Sequence, residues 1–279
     1  MRKSLVAFTL FLVASTASAQ QRPLVTEDPE TIGAGRVLVE AGFDYGSDAV
    51  YPASGLEGNL LRVPLIGVSV GISSIAEIQI DGGLYDHLSI TRRFPAPLAS
   101  LVTAEGDSTS DVDDIRIGTK VRLAAEGVRR PAFAFRFSTK LPNAGNESGL
   151  GLDTTDFLAS VLIGKTTRSV RVVGNFGLAI LADPTDATRQ NDEVAYGLSF
   201  ARALTNALEL VGEVNGRIDT RDGDPPPGTE TRGMFRFGTR YTTGGWRGDI
   251  ALLLGLTNAE PDIGMAAGFT YVFDAFKVP

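Results

Sequence analysis

Taken two residues at a time, this chain keeps charge on one side and hydrocarbon on the other, and no other feature constrains its fold as strongly. Over 114–123 one parity holds Ile115, Ile117, Thr119, Val121 and Leu123, and the other holds Asp114, Arg116, Gly118, Lys120 and Arg122. Over 132–141 Phe133, Phe135, Phe137 and Leu141 alternate with Ala132, Ala134, Arg136, Ser138 and Lys140. Leu208, Leu210, Val214 and Ile218 stand opposite Glu209, Glu213, Asn215 and Arg217, and Arg232, Arg236 and Arg240 stand opposite Phe235, Phe237 and Tyr241. Successive strand side chains point to opposite faces, so each stretch reads as a strand with one polar and one apolar face. Twelve such segments follow one another, at 36–45, 60–72, 76–85, 113–123, 132–141, 157–165, 169–181, 193–201, 208–219, 232–242, 246–256 and 263–273. Nothing between them carries a helical period, and no composition break marks a second domain.

Alternation alone fits a soluble sandwich as well as a membrane barrel, because both have one apolar face. Loop lengths separate the two. The connections alternate between long (46–59, 86–112, 142–156, 182–192, 220–231 and 257–262) and short (73–75, 124–131, 166–168, 202–207 and 243–245). Outer-membrane barrels carry long loops outside and tight turns on the periplasmic side. An even strand count puts both termini at the turn end, and segments of about 9–11 residues match a tilted transmembrane strand. The N-terminus adds an address. Arg2 and Lys3 precede an apolar run over 5–13 and a small-residue site, Ala17-Ser18-Ala19, the layout of a cleavable signal peptide. Its removal shifts the formal net charge from −7 to −9. The expected fold is all-β, an antiparallel up-and-down transmembrane β-barrel of about 12 strands in a Gram-negative outer membrane. Residues 1–19 form the signal peptide, 20–35 an N-terminal periplasmic segment, 36–273 the barrel and 274–279 a C-terminal extension.

Local chemistry refines this. Pro64 cannot donate to a ladder, so a bulge or kink is expected beside it. In 157–165 Leu158 and Leu162 compete with Phe157, Val161 and Ile163 for the apolar face, and the parity stays open. Tyr241 and Trp246 flank a short turn, and Tyr271 and Phe273 end the last segment, where an aromatic girdle would sit. Residues 268–273 alternate aromatics and end in Phe, like the C-terminal insertion signal of outer-membrane proteins, although six residues follow. Outer-membrane lipid, the barrel-assembly machinery and a small solute are the expected partners. The acidic balance argues against nucleic acid, whose affinity comes largely from Lys and Arg on phosphates.

Several stretches resemble one family of outer-membrane proteins. They are 31–44 (TIGAGRVLVEAGFD), 113–123 (DDIRIGTKVRL), 131–142 (PAFAFRFSTKLP), Thr155-Asp156-Phe157, Asn175-Phe176-Gly177, 210–217 (LVGEVNGR) and 264–273. On these the chain resembles the MetA-pathway of phenol degradation family. The resemblance implies a barrel with a transport role and assigns no reaction and no substrate.

With the charged parity inward, the lumen acquires walls of opposite sign. Glu40, Glu77 and Asp81 come from early segments, Arg116, Lys120, Arg136 and Lys140 from the fourth and fifth, Glu209 and Glu213 from the ninth, and Arg232, Arg236 and Arg240 from the tenth. These twelve are the expected pore-lining residues. Charges on neighbouring strands at one face can pair across the ladder, or can select ions as charged pore rings do. Eight strands leave an interior filled by side chains and sixteen leave a channel, so twelve leaves both outcomes open. The function expected is passive passage of small solutes, hydrophobic or aromatic compounds among them. The alternative is a barrel without transport, serving as scaffold or surface-binding protein.

An enzyme is the competing class, and it has few means. Cysteine is absent and His87 is the only histidine. His87 and Ser89 have the His-x-Ser spacing of some outer-membrane lipid hydrolases, but they continue the parity of Glu77, Gln79 and Asp81. That parity places them inside the barrel, away from lipid. The acidic stretches 107–114 and 219–224 do not match the spacing of a calcium loop. No cofactor, metal site or catalytic residue is expected.

Overall fold

The computed structural model describes residues 22–278, so the expected signal peptide lies outside the described residues. Every element among the described residues is a strand. They are β1 (Arg36–Tyr51), β2 (Leu56–Gly71), β3 (Ala76–Gly83), β4 (Asp86–Arg93), β5 (Ser108–Asp111), β6 (Arg116–Ala124), β7 (Ala132–Lys140), β8 (Asp156–Thr167), β9 (Val170–Ala182), β10 (Gln190–Ala203), β11 (Leu208–Asp219), β12 (Arg232–Thr243), β13 (Trp246–Gly255) and β14 (Ile263–Asp274). All pair antiparallel. β1 pairs with β14 on one side and β2 on the other, which closes a cylinder of twelve strands. The strands are longer than a membrane needs at the loop end, where β4 and β5 build an extra ribbon on the far half of β2.

The apolar parities form the outer surface. Ile78, Ile80, Ile117, Phe135, Phe137, Phe176, Leu198, Phe237, Leu252 and Met265 are all exposed. An apolar band of this extent is a lipid-facing surface. At its turn-end margin, Trp246 stacks on Tyr271 with ring centres 4.0 Å apart and lies 4.6 Å from Phe269. Tight turns hold that end together. Gly244, at φ +59°, supplies the left-handed backbone that the short β12–β13 hairpin requires.

Two open points in the sequence are resolved here. In β8, Phe157, Val161 and Ile163 face outward, while Leu162 is buried. Beside Pro64 the β1–β2 register slips between Gly42 and Asp44, and β2 changes partner from β3 to β4. One expectation is overturned. Residues 86–112 do not form a plain loop, and His87 does not continue the inward parity of β3. Leu84 and Tyr85 are consecutive exposed residues between the two strands. That break shifts the alternation, so Asp86 and Leu88 are buried and His87 stands on the more exposed side of β4.

Candidate functional site

Closing the sheet turns the charged parities inward and crowds unlike charges together. Glu77 and Lys120, neighbours across β3 and β6, are 3.0 Å apart and wholly buried. Asp81 lies 3.6 Å from Arg116. Lys140 lies 2.8 Å from Asp114 and 3.1 Å from Asp156. Glu40 accepts a hydrogen bond from the Thr270 hydroxyl at 3.1 Å. The three arginines of β12 do not form a free row. Arg236 lies 2.9 Å from Glu213 and donates to Asn215. Arg240 donates to the Arg22 carbonyl at 2.8 Å, and Arg232 to that of Ala259 at 2.8 Å. Glu209 lies 3.8 Å from Arg247 and opposite Arg240 across the β11–β12 ladder. All twelve residues singled out from the sequence therefore lie on the inner wall, most of them held by a named partner.

The stretch ahead of β1, read from the sequence as a periplasmic segment, runs inside the cylinder. It enters at the turn end, where Ile32 packs on Leu38 and Val272 and its N–H donates to Glu77 at 2.8 Å. Gly35 sits at the root with φ +73°, and a Cβ there would lie 2.0 Å from the Phe276 carbonyl oxygen. Only glycine fits that contact, so the C-terminal residues brace the segment where it turns inward. Further in, three carboxylates meet four cations. Glu30 pairs with Arg122. Asp28 takes Arg171 through both oxygens. Glu27 lies 3.1 Å from Arg136 and 3.2 Å from Lys120, and Asn175 brackets its backbone with bonds of 2.7 and 2.8 Å. Beyond them the N–H groups of Val25 and Thr26 both donate to Glu213 at 2.8 Å. Arg22 reaches Asp44 at 3.4 Å, about the middle of the wall.

A lysine with no exposure cannot stay charged without partners, because the loss of hydration has to be offset by close opposite charge. Lys120 has two carboxylates, Glu27 and Glu77, and the Asp28 carbonyl at 2.9 Å. The segment is thus part of the electrostatic structure of the wall. The other end of the lumen is also narrowed. The loop over 220–231 folds back so that Thr229 receives a bond from Asn191 on β10 at 3.0 Å, and the Gly228 carbonyl one from Arg217 at 2.9 Å. Leu152, from the loop over 141–155, meets Gly228 there.

Alternation could not find Glu27, Asp28 and Glu30, since they are not in a strand. A usable signal was present: three carboxylates in Thr26-Glu27-Asp28-Pro29-Glu30, directly ahead of the first strand of a barrel with cationic inward parities. Arg171 and Asn175, on the inward parity of β9, were missed for lack of a reason to prefer them. The His87 ring meets the Ser110 hydroxyl at 2.8 Å across β4 and β5 instead of Ser89. Among the described residues no group of three or more acidic or histidine side chains could hold a metal ion.

Comparison with known proteins agrees with this architecture. A family model described as MetA-pathway of phenol degradation matches residues 20–273. No curated protein matches the sequence. Among solved structures, an outer membrane channel from Pseudomonas putida F1 is similar at 12% identity, over 88% of this chain and 98% of that one, with a TM-score of 0.61. The NanC porin is similar at 10% identity, over 87% of this chain and 100% of its own, with a TM-score of 0.52. At these identities both likenesses are of fold.

Proposed function

The chain belongs to the MetA-pathway of phenol degradation family, and we propose that it is a passive channel for small solutes whose resting state is closed by its own N-terminal segment. The protein is an outer-membrane β-barrel. The observation that carries the reading is the nature of the closure. Residues 22–30 are tied to the inner wall by a run of ion pairs and hydrogen bonds, and a wall that needed only structural filling could use apolar side chains at lower desolvation cost. A lumen lined by charge of both signs and stopped by a tethered, polar segment fits a path that opens. The family description supplies the solute class to try first, small aromatic compounds such as phenol.

The test is conductance across a planar bilayer, together with uptake of phenol into liposomes that carry the purified protein. The natural chain should conduct in rare, brief openings. A variant with Glu27→Gln, Asp28→Asn and Glu30→Gln should conduct steadily and admit phenol faster. Absence of both in either protein would leave the non-transporting scaffold, for which the double closure by segment and loops is the supporting observation.

A further inference from the structure

The cations that hold the segment form a site in their own right. Lys120 and Arg122 come from β6, Arg136 from β7 and Arg171 from β9, and their side chains converge on one part of the inner wall. Among the described residues two acids of the wall touch these four cations, and one of them, Glu126, is shared with Lys165 at 3.1 Å. Glu77 touches Lys120, and Glu126, in the turn over 125–131, touches Arg171 at 2.8 Å. The rest of the balance is supplied by Glu27, Asp28 and Glu30 of the segment. Arg171 grips Asp28 as a fork on both oxygens, the geometry with which a guanidinium recognises a free carboxylate. Arg136 and Lys120 each hold a different oxygen of Glu27.

We propose that this cluster is a binding site for small multivalent carboxylates, that residues 27–30 occupy it as an internal ligand, and that a solute of this class unseats the segment by taking its place. The proposal rests on the channel reading above and names what opens it. The chemistry is an exchange of one set of carboxylates for another on the same donors. Four cations left with two wall acids would be poorly neutralised in a low-dielectric lumen, so the segment leaves only as another anion arrives. A monovalent anion can satisfy one cation, whereas a tricarboxylate can span several. The competition is set by tethering. A short linker holds its ligand at an effective concentration in the millimolar range, so free carboxylate should act at millimolar levels and be inert at micromolar ones.

The natural chain has no cysteine, which permits a readout independent of conduction. Thr26 is buried against β10, beside Gly197, and Thr26→Cys places one thiol on the segment. In reconstituted full-length protein, a water-soluble maleimide should label this thiol slowly in chloride. Citrate at 10–20 mM and matched ionic strength should speed labelling at least five-fold, while acetate should not. In the Arg122→Gln, Arg171→Gln background labelling should be fast in either salt and citrate should add nothing. Acceleration by citrate without any conductance would uphold the site and remove the channel reading. Citrate-independent labelling of the natural wall, with fast labelling in the Gln background, would overturn the site and leave the channel reading standing. Equal acceleration by acetate would also overturn it, since the effect would then be charge screening and not occupancy.

Discussion

Lys120 shows how much one side chain can depend on its company. It is wholly buried and held between Glu27 and Glu77. Lys120→Met removes the cation and leaves two carboxylates facing each other out of water, which should destabilise the closed barrel by about 3–5 kcal/mol. The measurement is the temperature at which the unboiled, fast-migrating gel band is lost. Adding Glu77→Met should recover part of the drop, because the pair is then replaced by packing hydrocarbon and Glu27 retains Arg136, while the Ile32 N–H and Gln79 lose their acceptor. A double variant no better than the single one would show that the pair does not act as a unit. Glu126 offers a pH test at the same scale. Burial raises its pKa, but bonds from Thr166, Lys165 and Arg171 outweigh this and hold it below the usual carboxylate range. A lowered folded value contributes stability that is complete above the unfolded value near 4.3 and is lost as pH falls through the folded one. Acidification through that lowered folded value should therefore release the turn over 125–131 from Lys165, Thr166 and Arg171, while Asp28 keeps its hold on Arg171. Cleavage within that turn by an acid-active protease should rise there, and at neutral pH trypsin should cut Glu126→Gln after Arg129 and Arg130 faster than the natural chain.

At the scale of elements, the strands were legible and the exceptions have physical causes. β11 falls at the residues that alternation assigned, and β7, β12, β13 and β14 within one residue at either end, because each has one face in lipid and one in a polar interior. β4 and β5 were not legible. Above the membrane both faces meet water or loops, so nothing forces the polar and apolar parities apart. His87 was misplaced for the related reason that parity can be carried through a strand but not across the break at Leu84 and Tyr85. The inner-wall residues were legible one at a time; their partners in the segment were not, because a stretch without secondary structure has no period to read. The directions of the faces make a prediction of their own. Phe237 lies near the middle of β12 on the lipid side, 40% exposed. Phe237→Arg should cost about 2–4 kcal/mol and reduce the amount of barrel recovered in the outer membrane. Arg116→Ala, on the inner wall with a half-exposed side chain that meets Asp81 only at 3.6 Å, should leave recovery nearly unchanged. Equal recovery of the two variants would contradict the assignment of faces.

For the whole molecule, orientation and closure are the properties to examine. Trp246 is the sole tryptophan and lies on the outer face at the turn end, stacked on Tyr271. In bilayers with brominated lipids its fluorescence should be quenched most by bromines close to the headgroup and least by those near the chain ends, as expected of an interfacial aromatic. The reverse order would put the turn end in the hydrocarbon centre. Closure has a consequence for how the protein is made. The segment that fills the lumen leads directly into β1, and β1 pairs with β14 from Arg36 opposite Asp274 onward. The seam that completes the cylinder thus joins the two most distant parts of the chain, and contacts of such separation form late. While the seam is open the segment has an unobstructed side approach to its cations; once it is stitched, the way in from the turn end is end-on, past Leu38 and Val272. Maturation of this barrel is therefore a race between stitching and threading, and a chain that closes first would be a folded cylinder with its stopper on the outside.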